Sequence, residues 1–239
     1  LKLIGFLLCV CVFALIAANL SNESLRALDL RVTEALAALR TPALTLAMQS
    51  VTTLCAPVAL LLICLVLMVV YRKKHYSIPV AINLMVSVSL NYSLKNVFLR
   101  ERPPLMYRAV VESGYSFPSG HAMAAGAFYG FLIYMVAQSS MPKPRKRLLI
   151  ALLTLLIGLV AFSRVYLGVH YLSDVVAGLT VSTAYLLLYS AVVGAYLRAG
   201  HDALAIPAQR AKNKRLTDSF RHAFDGVALA MKGERNMII

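Results

Sequence analysis

Three short clusters in the sequence hold residue types that can do chemistry together. The first is Lys95, followed seven residues later by Arg102 and Pro103, in the stretch KNVFLRERPP. Seven residues make about two helical turns, so the two cations can share one face. Pro103 and Pro104 end any helix there. Asn83, Ser87 and Asn91 precede Lys95 at steps of four. They mark a polar stripe turned toward a protein interior, for a site or for helix–helix hydrogen bonding. The second cluster is Pro118-Ser119-Gly120-His121. A helix starting here offers free N–H groups and the positive end of its dipole, which together bind anions. Ser119 suits the N-cap, and Gly120 lets the backbone approach a ligand closely. Taken alone, these four residues read more plainly as a capped helix start. The third cluster is Ser163-Arg164, then His170 and Asp174, in SRVYLGVHYLSD. His170 and Asp174 are four apart and share one helical face. A carboxylate on one imidazole nitrogen fixes the tautomer and leaves the other free as a nucleophile. The plain alternative is a buried pair that only locks helices together.

The clusters supply three cations, two histidines, one carboxylate and a helix N-terminus. That inventory suits phosphoryl transfer. The transition state spreads negative charge over equatorial oxygens, which cations and N–H donors stabilise. One histidine can attack while the other protonates the leaving oxygen.

The elements that must position these residues follow from composition. Of 239 residues, 60% are apolar and only 14% are charged. With a mean hydropathy of +0.74, this is a membrane composition. It excludes a disordered chain, a disulfide scaffold and an ordinary soluble enzyme. The net charge of +14 fits cytoplasmic loops and anionic lipid better than nucleic acid. Cys9, Cys11, Cys55 and Cys64 lie in apolar runs without a C-x-x-C pair, so they read as small apolar fillers. The chain begins at Leu1 and not Met, as a trimmed N-terminus would.

Six apolar runs cover roughly 3–20, 43–71, 77–98, 119–139, 147–166 and 171–197. Each approaches the roughly 20 residues a spanning helix needs. The first is long for a signal-peptide core and no A-x-A site follows, so it reads as an uncleaved span. Basic clusters at 72–74, 143–147 and 198–215 fall on one side if both termini are cytoplasmic, as the positive-inside rule expects. Segments 21–42 and 99–118 and the turn near 167–170 then lie on the extracytoplasmic side. Lys95 and Arg102 thus sit where basic residues should be scarce, and lipid headgroups explain them poorly. Leu25, Leu28, Val32, Leu36 and Leu39 recur at helical spacing, as do Leu216, Phe220, Phe224, Val227 and Met231 in the tail. Each segment is expected either to lie flat in the interface or to cap the bundle. The expected fold is therefore all-α. It is an integral-membrane bundle of six transmembrane helices over 1–198, with an extracytoplasmic amphipathic helix and a basic cytoplasmic tail over 199–239.

In order and internal spacing, the motifs at 95–103, 118–121 and 163–174 resemble the three signatures of the type-2 phosphatidic acid phosphatase superfamily. No signature position departs from the pattern, and the tail lies outside the likeness. The resemblance implies that His170 is the nucleophile, forming a phosphohistidine, and that Asp174 orients it and stabilises its charge. It makes His121 the general acid toward the leaving group and then the base for water. Lys95, Arg102, Ser119, Gly120 and Arg164 would hold the phosphate oxygens. It implies no metal and no cofactor, in keeping with the scarcity of acids in the spans. The substrate would be a membrane lipid phosphate or diphosphate. Undecaprenyl diphosphate and phosphatidylglycerol phosphate rank slightly ahead of phosphatidic acid. The linker 104–117 is either a lid over the headgroup or a solvated connection. Arg100 and Glu101 are expected beside the site, not in it.

Three other readings compete. The same phosphohistidine could pass its phosphate to a lipid or sugar acceptor, making a phosphotransferase. A vanadate-dependent haloperoxidase shares the motifs on a soluble scaffold, which the apolar spans oppose. A non-catalytic channel or scaffold would use the polar residues for packing alone.

Overall fold

The computed structural model describes residues 2–70 and 74–194, and these are helical, with no strand among them. The helices are α1 (Lys2–Ala18), α2 (Glu23–Ala38), α3 (Pro42–Thr53), α4 (Pro57–Val70) and α5 (Lys74–Phe98). They continue with α6 (Gly120–Gln138), α7 (Lys143–Tyr166) and α8 (Leu172–Gly194). The tail from 199 onward, with its amphipathic stripe, lies outside the described residues, as does most of the basic cluster at 72–74.

Three helices, α6, α7 and α8, are long and apolar enough to cross a membrane, and the number rises to five if each of two bent pairs is one span. The first bent pair is α1 and α2, at 96°. Asn22 caps the second member, its side chain accepting from Ser24 N–H at 2.9 Å. If α1 crosses the bilayer, α2 must run along the surface. The second pair is α3 and α4, bent by 49°. The run 43–71, expected as one long element, is broken here. Leu54, Cys55 and Ala56 N–H close tight turns onto Val51, Thr52 and Thr53, and Pro57 cannot extend the ladder. Helix α5 fills the third run with 25 residues, but its polar stripe keeps it below the hydropathy of a spanning helix.

That stripe faces inward as expected. Asn83 and Ser87 are buried, and Asn91 Nδ2 donates to Pro118 O at 3.2 Å. Phe13 of α1, Phe98 and Phe117 stack with centroids 5.0–6.0 Å apart. This cluster ties α1 and the end of α5 to the entrance of α6. Ala122, Ala161, Val165 and Val175 form a small-residue core joining α6, α7 and α8, with Val32 and Leu36 of α2 packed against it. The apolar stripe of α2 is thus split: those two dock, while Leu28 and Leu39 stay exposed. Helix α2 caps the bundle, and the residues it buries most deeply are polar, Asp29 and Thr33. All four cysteines are free thiols, with Cys55 and Cys64 buried.

Candidate active site

His170 sits on the turn between α7 and α8. Gly168 makes that turn possible, with φ +69°, and a Cβ there would fall 1.9 Å from Tyr107 O. Val169 and His170 N–H both return to Arg164 O, so the turn holds His170 and Arg164 in fixed relation. The His170 side chain is almost wholly buried. Its Nε2 lies 3.1 Å from Arg102 Nη1. A guanidinium only donates, so Nε2 must be the accepting, unprotonated nitrogen. The proton then belongs on Nδ1, which faces Ser116 Oγ at 3.3 Å and Asp174 Oδ2 at 3.5 Å. Burial lowers the His170 pKa to about 4, and Arg102 and Arg164 add to this against the pull of Asp174. The imidazole is therefore neutral near pH 7, with a free lone pair on Nε2.

Asp174 is fully buried in the first turn of α8. Its carboxylate accepts from Arg100 Nη1 at 2.6 Å, from Tyr171 N–H at 2.9 Å and from Ser116 Oγ. Its backbone oxygen accepts Ser119 N–H at 3.0 Å, which fastens the start of α6 to the start of α8. Gly178 permits that approach, since a Cβ would meet Ser119 O at 2.9 Å. Arg100 reaches onward to Asp29 Oδ2 at 2.8 Å and lies 4.4 Å over the Tyr171 ring. Burial disfavours the Arg100 charge, but Asp174 and Asp29 outweigh it and raise the pKa. Asp29 also accepts Ser173 N–H at 3.0 Å. His170 is thus backed by a buried chain of contacts, from Asp174 through Arg100 to Asp29.

The cations ring the free face of His170. Arg102 is held as a fork, donating to Gly114 O at 3.0 Å, Ser113 O at 3.0 Å and Val169 O at 2.8 Å. Arg164 is buried, donating to Thr52 Oγ1 at 2.9 Å and to Glu112 Oε1, while its Nε has no protein partner. The second Glu112 oxygen is 3.7 Å from Arg102 Nη2. Burial works to raise the Glu112 pKa, but Arg164, Arg102 and His121 together hold it below the usual carboxylate range. Lys95 Nζ donates to Tyr115 O. Ser119 occupies the N-cap position of α6, but its side chain makes no capping bond and its Oγ is buried without a partner. Gly120 has only Asn91 Oδ1 at 3.0 Å where a Cβ would stand. His121 follows in the first turn.

The structure brings several of the residues singled out from the sequence together at this turn, by different routes. Arg102, His170 and Asp174 touch in series. Arg164 joins Arg102 through Glu112. Lys95 donates to the loop carbonyl of Tyr115. Ser116, Asp29 and Thr52 escaped the sequence reading, while Glu112 was read only as part of a linker that is either a lid or a solvated connection. Ser116 and Glu112 lie on the linker 104–117, which folds back so that Ser116 N–H meets Arg100 O at 2.7 Å. Asp29 carried one signal, a lone acid four residues before Thr33 on a face that should have been apolar. Chemically, the arrangement combines a neutral imidazole, a buried carboxylate behind it and nearby cations and hydrogen-bond donors. It suits a tetrahedral oxyanion.

Known proteins resemble this chain in sequence and in fold. The sequence profile of the PAP2 superfamily matches residues 76–198. Phosphatidylglycerophosphatase B of Bacillus subtilis (strain 168) is 31% identical over 189 residues, covering 76% of this chain and 90% of that protein. The crystal structure of a transmembrane PAP2 type phosphatidylglycerolphosphate phosphatase from Bacillus subtilis superposes with a TM-score of 0.74 at 28% identity, over 79% of this chain and 95% of that one. Aquifex aeolicus LpxE matches with a TM-score of 0.52 at 23% identity, over 67% of this chain and 94% of that chain, a likeness of fold.

Proposed function

The chain belongs to the PAP2 superfamily, and from that premise we propose that it hydrolyses a lipid phosphate or diphosphate through a phosphohistidine on His170. It is an integral membrane lipid phosphatase of the inner membrane. The observation that carries the mechanism is the contact of His170 Nε2 with Arg102 at 3.1 Å, which leaves Nε2 as the lone-pair nitrogen.

In the proposed reaction Nε2 attacks phosphorus, the bond to the lipid oxygen breaks, and His121 gives that oxygen a proton. Asp174 stays ionised, faces the Nδ1–H and offsets the positive charge that develops on the ring. Lys95, Arg102, Arg164, the Ser119 hydroxyl and the N–H groups at Gly120 hold the equatorial oxygens. His121 then takes a proton from water as it attacks the phosphohistidine, and the P–N bond breaks. The reading calls for no metal. Six spans, cytoplasmic termini and an extracytoplasmic site belong to the same proposal. The distribution of basic residues and the right angle between α1 and α2 support it, because a surface-lying α2 brings Asp29 to a site at the bilayer edge. A lipid tail can then remain in the bilayer while its phosphate reaches His170.

Phosphatidylglycerol phosphate and undecaprenyl diphosphate stand ahead of phosphatidic acid, and the name of the Bacillus relative favours the first. The test is phosphate release by the purified protein in detergent, across these three lipids, with and without EDTA. Release that is lost in His170→Ala and indifferent to EDTA supports the reading. No release by folded wild-type protein, or release that persists in His170→Ala, overturns it.

A further inference from the structure

A second cleft adjoins the catalytic groups. Arg26 of α2, Arg100, Arg102 and Arg108 line it, with Glu101 and Tyr171. Two of these arginines are already spoken for: Arg100 is neutralised by Asp29 and Asp174, and Arg102 fronts His170. The other two are not. Arg108 donates its Nε to Pro103 O at 2.6 Å. Neither Arg108 nor Arg26 has a carboxylate partner among the described residues. Glu101 is an exposed, single counter-charge. Like charges brought together cost free energy unless an anion joins them. Two further facts narrow that anion. The cleft shares Arg102 with the nucleophile, so a group held there is close to the phosphorus under attack. Its remaining wall is mostly apolar, with Leu20, Leu30 and Phe98 beside Ser21, which suits a group attached to a lipid.

We propose that the Arg26–Arg108 cleft binds a second phosphate of the substrate, the one that stays with the leaving lipid. The inference rests on the phosphatase reading above and narrows its substrate class to lipids with two phosphate groups. In a lipid diphosphate, the terminal phosphorus bonds to His170 Nε2. The P–O bond to the bridging oxygen breaks, and that oxygen departs on the inner phosphate with a proton from His121. Arg108 and Arg26 stabilise the departing phosphate. In a glycerophosphodiester that also carries a monoester, they hold the diester phosphate instead. Phosphatidic acid has nothing to place there.

The experiment uses the full chain in neutral detergent and two substrate pairs: undecaprenyl diphosphate against undecaprenyl monophosphate, and phosphatidylglycerol phosphate against phosphatidic acid. The variants are Arg26→Gln, Arg108→Gln and the double variant, with Arg145→Gln in the first turn of α7 as the control. Each cleft variant lowers the two-phosphate to one-phosphate ratio of kcat/KM about tenfold, the range of one charge-assisted contact. Arg145→Gln leaves the ratio unmoved. A fall in the first pair alone assigns the site to a diphosphate, and a fall in the second alone assigns it to a diester. A ratio unchanged in both pairs, or equal losses on all four lipids, overturns the proposal. The latter would mean the cleft only draws the protein to anionic surfaces. Inhibition by inorganic pyrophosphate against inorganic phosphate reads the same subsite without turnover. Wild type prefers pyrophosphate, the double variant loses that preference, and wild type without any preference counts against the site. His170→Ala runs in parallel. If wild-type release does not depend on His170, the phosphatase mechanism fails; if it does and the ratios stay constant, only the cleft proposal fails.

Discussion

Asp29 lies on a helix that contributes no signature residue, yet it anchors the carboxylate behind the nucleophile. Replacing it with Asn keeps the shape and an oxygen for Ser173 N–H, but puts an amide NH2 where Oδ2 accepts from Arg100, so the charge and that hydrogen bond are both removed. A hydrogen bond to a charged group contributes about 1.5–3 kcal/mol. Stranding a buried charge costs about 3–5 kcal/mol, but Arg100 retains Asp174 at 2.6 Å and its stack on Tyr171, so the lower range applies. The expected loss is about 2 kcal/mol of stability, or about 4–8 °C in melting temperature for a chain of this size. Activity falls as well. With Asp29 gone, Arg100 bears wholly on Asp174, and Asp174 has less negative charge to offer the His170 ring as it turns cationic. The predicted change is about tenfold in kcat with little change in KM, because Asp29 touches no substrate group. The assay pairs thermal unfolding in detergent with kcat and KM on one lipid. A cycle with Arg100→Gln should be strongly non-additive, since the two residues act through one contact. An Asp29→Asn variant with wild-type melting and wild-type kcat would refute the role of this chain of contacts.

Other consequences are simpler to test. Ser116→Ala removes the hydroxyl shared by Asp174 and His170, so kcat should drop about 10–100-fold with the fold intact by melting; a loss under twofold would leave Ser116 without a role. Glu112→Gln frees Arg164 and Arg102 from the carboxylate that now faces them, so inorganic phosphate should inhibit more tightly, which a competition assay measures; weaker inhibition would mean that Glu112 holds Arg164 in place for the anion. His170, with a pKa pushed down to about 4, should keep its nucleophile unprotonated over the mildly acid range, so kcat/KM loses activity through this group only as pH approaches 4. The unfolded chain takes up that proton near the ordinary 6.5. The residue's contribution to stability is therefore complete above about 6.5 and declines as pH falls toward 4, and melting curves across that window check the sign.

The candidate site was legible from the order of its three motifs, but not through shared helical faces: α5 ends at Phe98, so Arg102 lies in the loop beyond it, and His170 sits on the turn before α8, which holds Asp174. What escaped was encoded at long range. Asp29 and Arg100 are 71 residues apart, and neither carries a local mark of the other. A periodicity search over 24–39 counts apolar residues, and so it pointed to Leu28 and Leu39, which are exposed, and away from Asp29 and Thr33, which are buried. The buried face of α2 combines the Asp29–Arg100 ion pair with Val32 and Leu36, so hydropathy marks only part of it. The break at Pro57 was hidden by an unbroken apolar run, since hydropathy does not register a missing N–H. Ser116 and Glu112 sit in a linker whose composition fits a solvated connection. Only its closure onto Arg100 O and Leu167 O reveals it as a wall of the site.

The account stands or falls on a covalent bond between phosphorus and His170. The direct measurement is rapid acid-free quenching of the wild-type protein with a lipid labelled in its terminal phosphate, followed by peptide mapping. The account predicts transient label that survives alkali, is lost in acid, maps to His170 and is absent from His170→Ala. Turnover with no label on the protein at any time, or label on another residue, would contradict it.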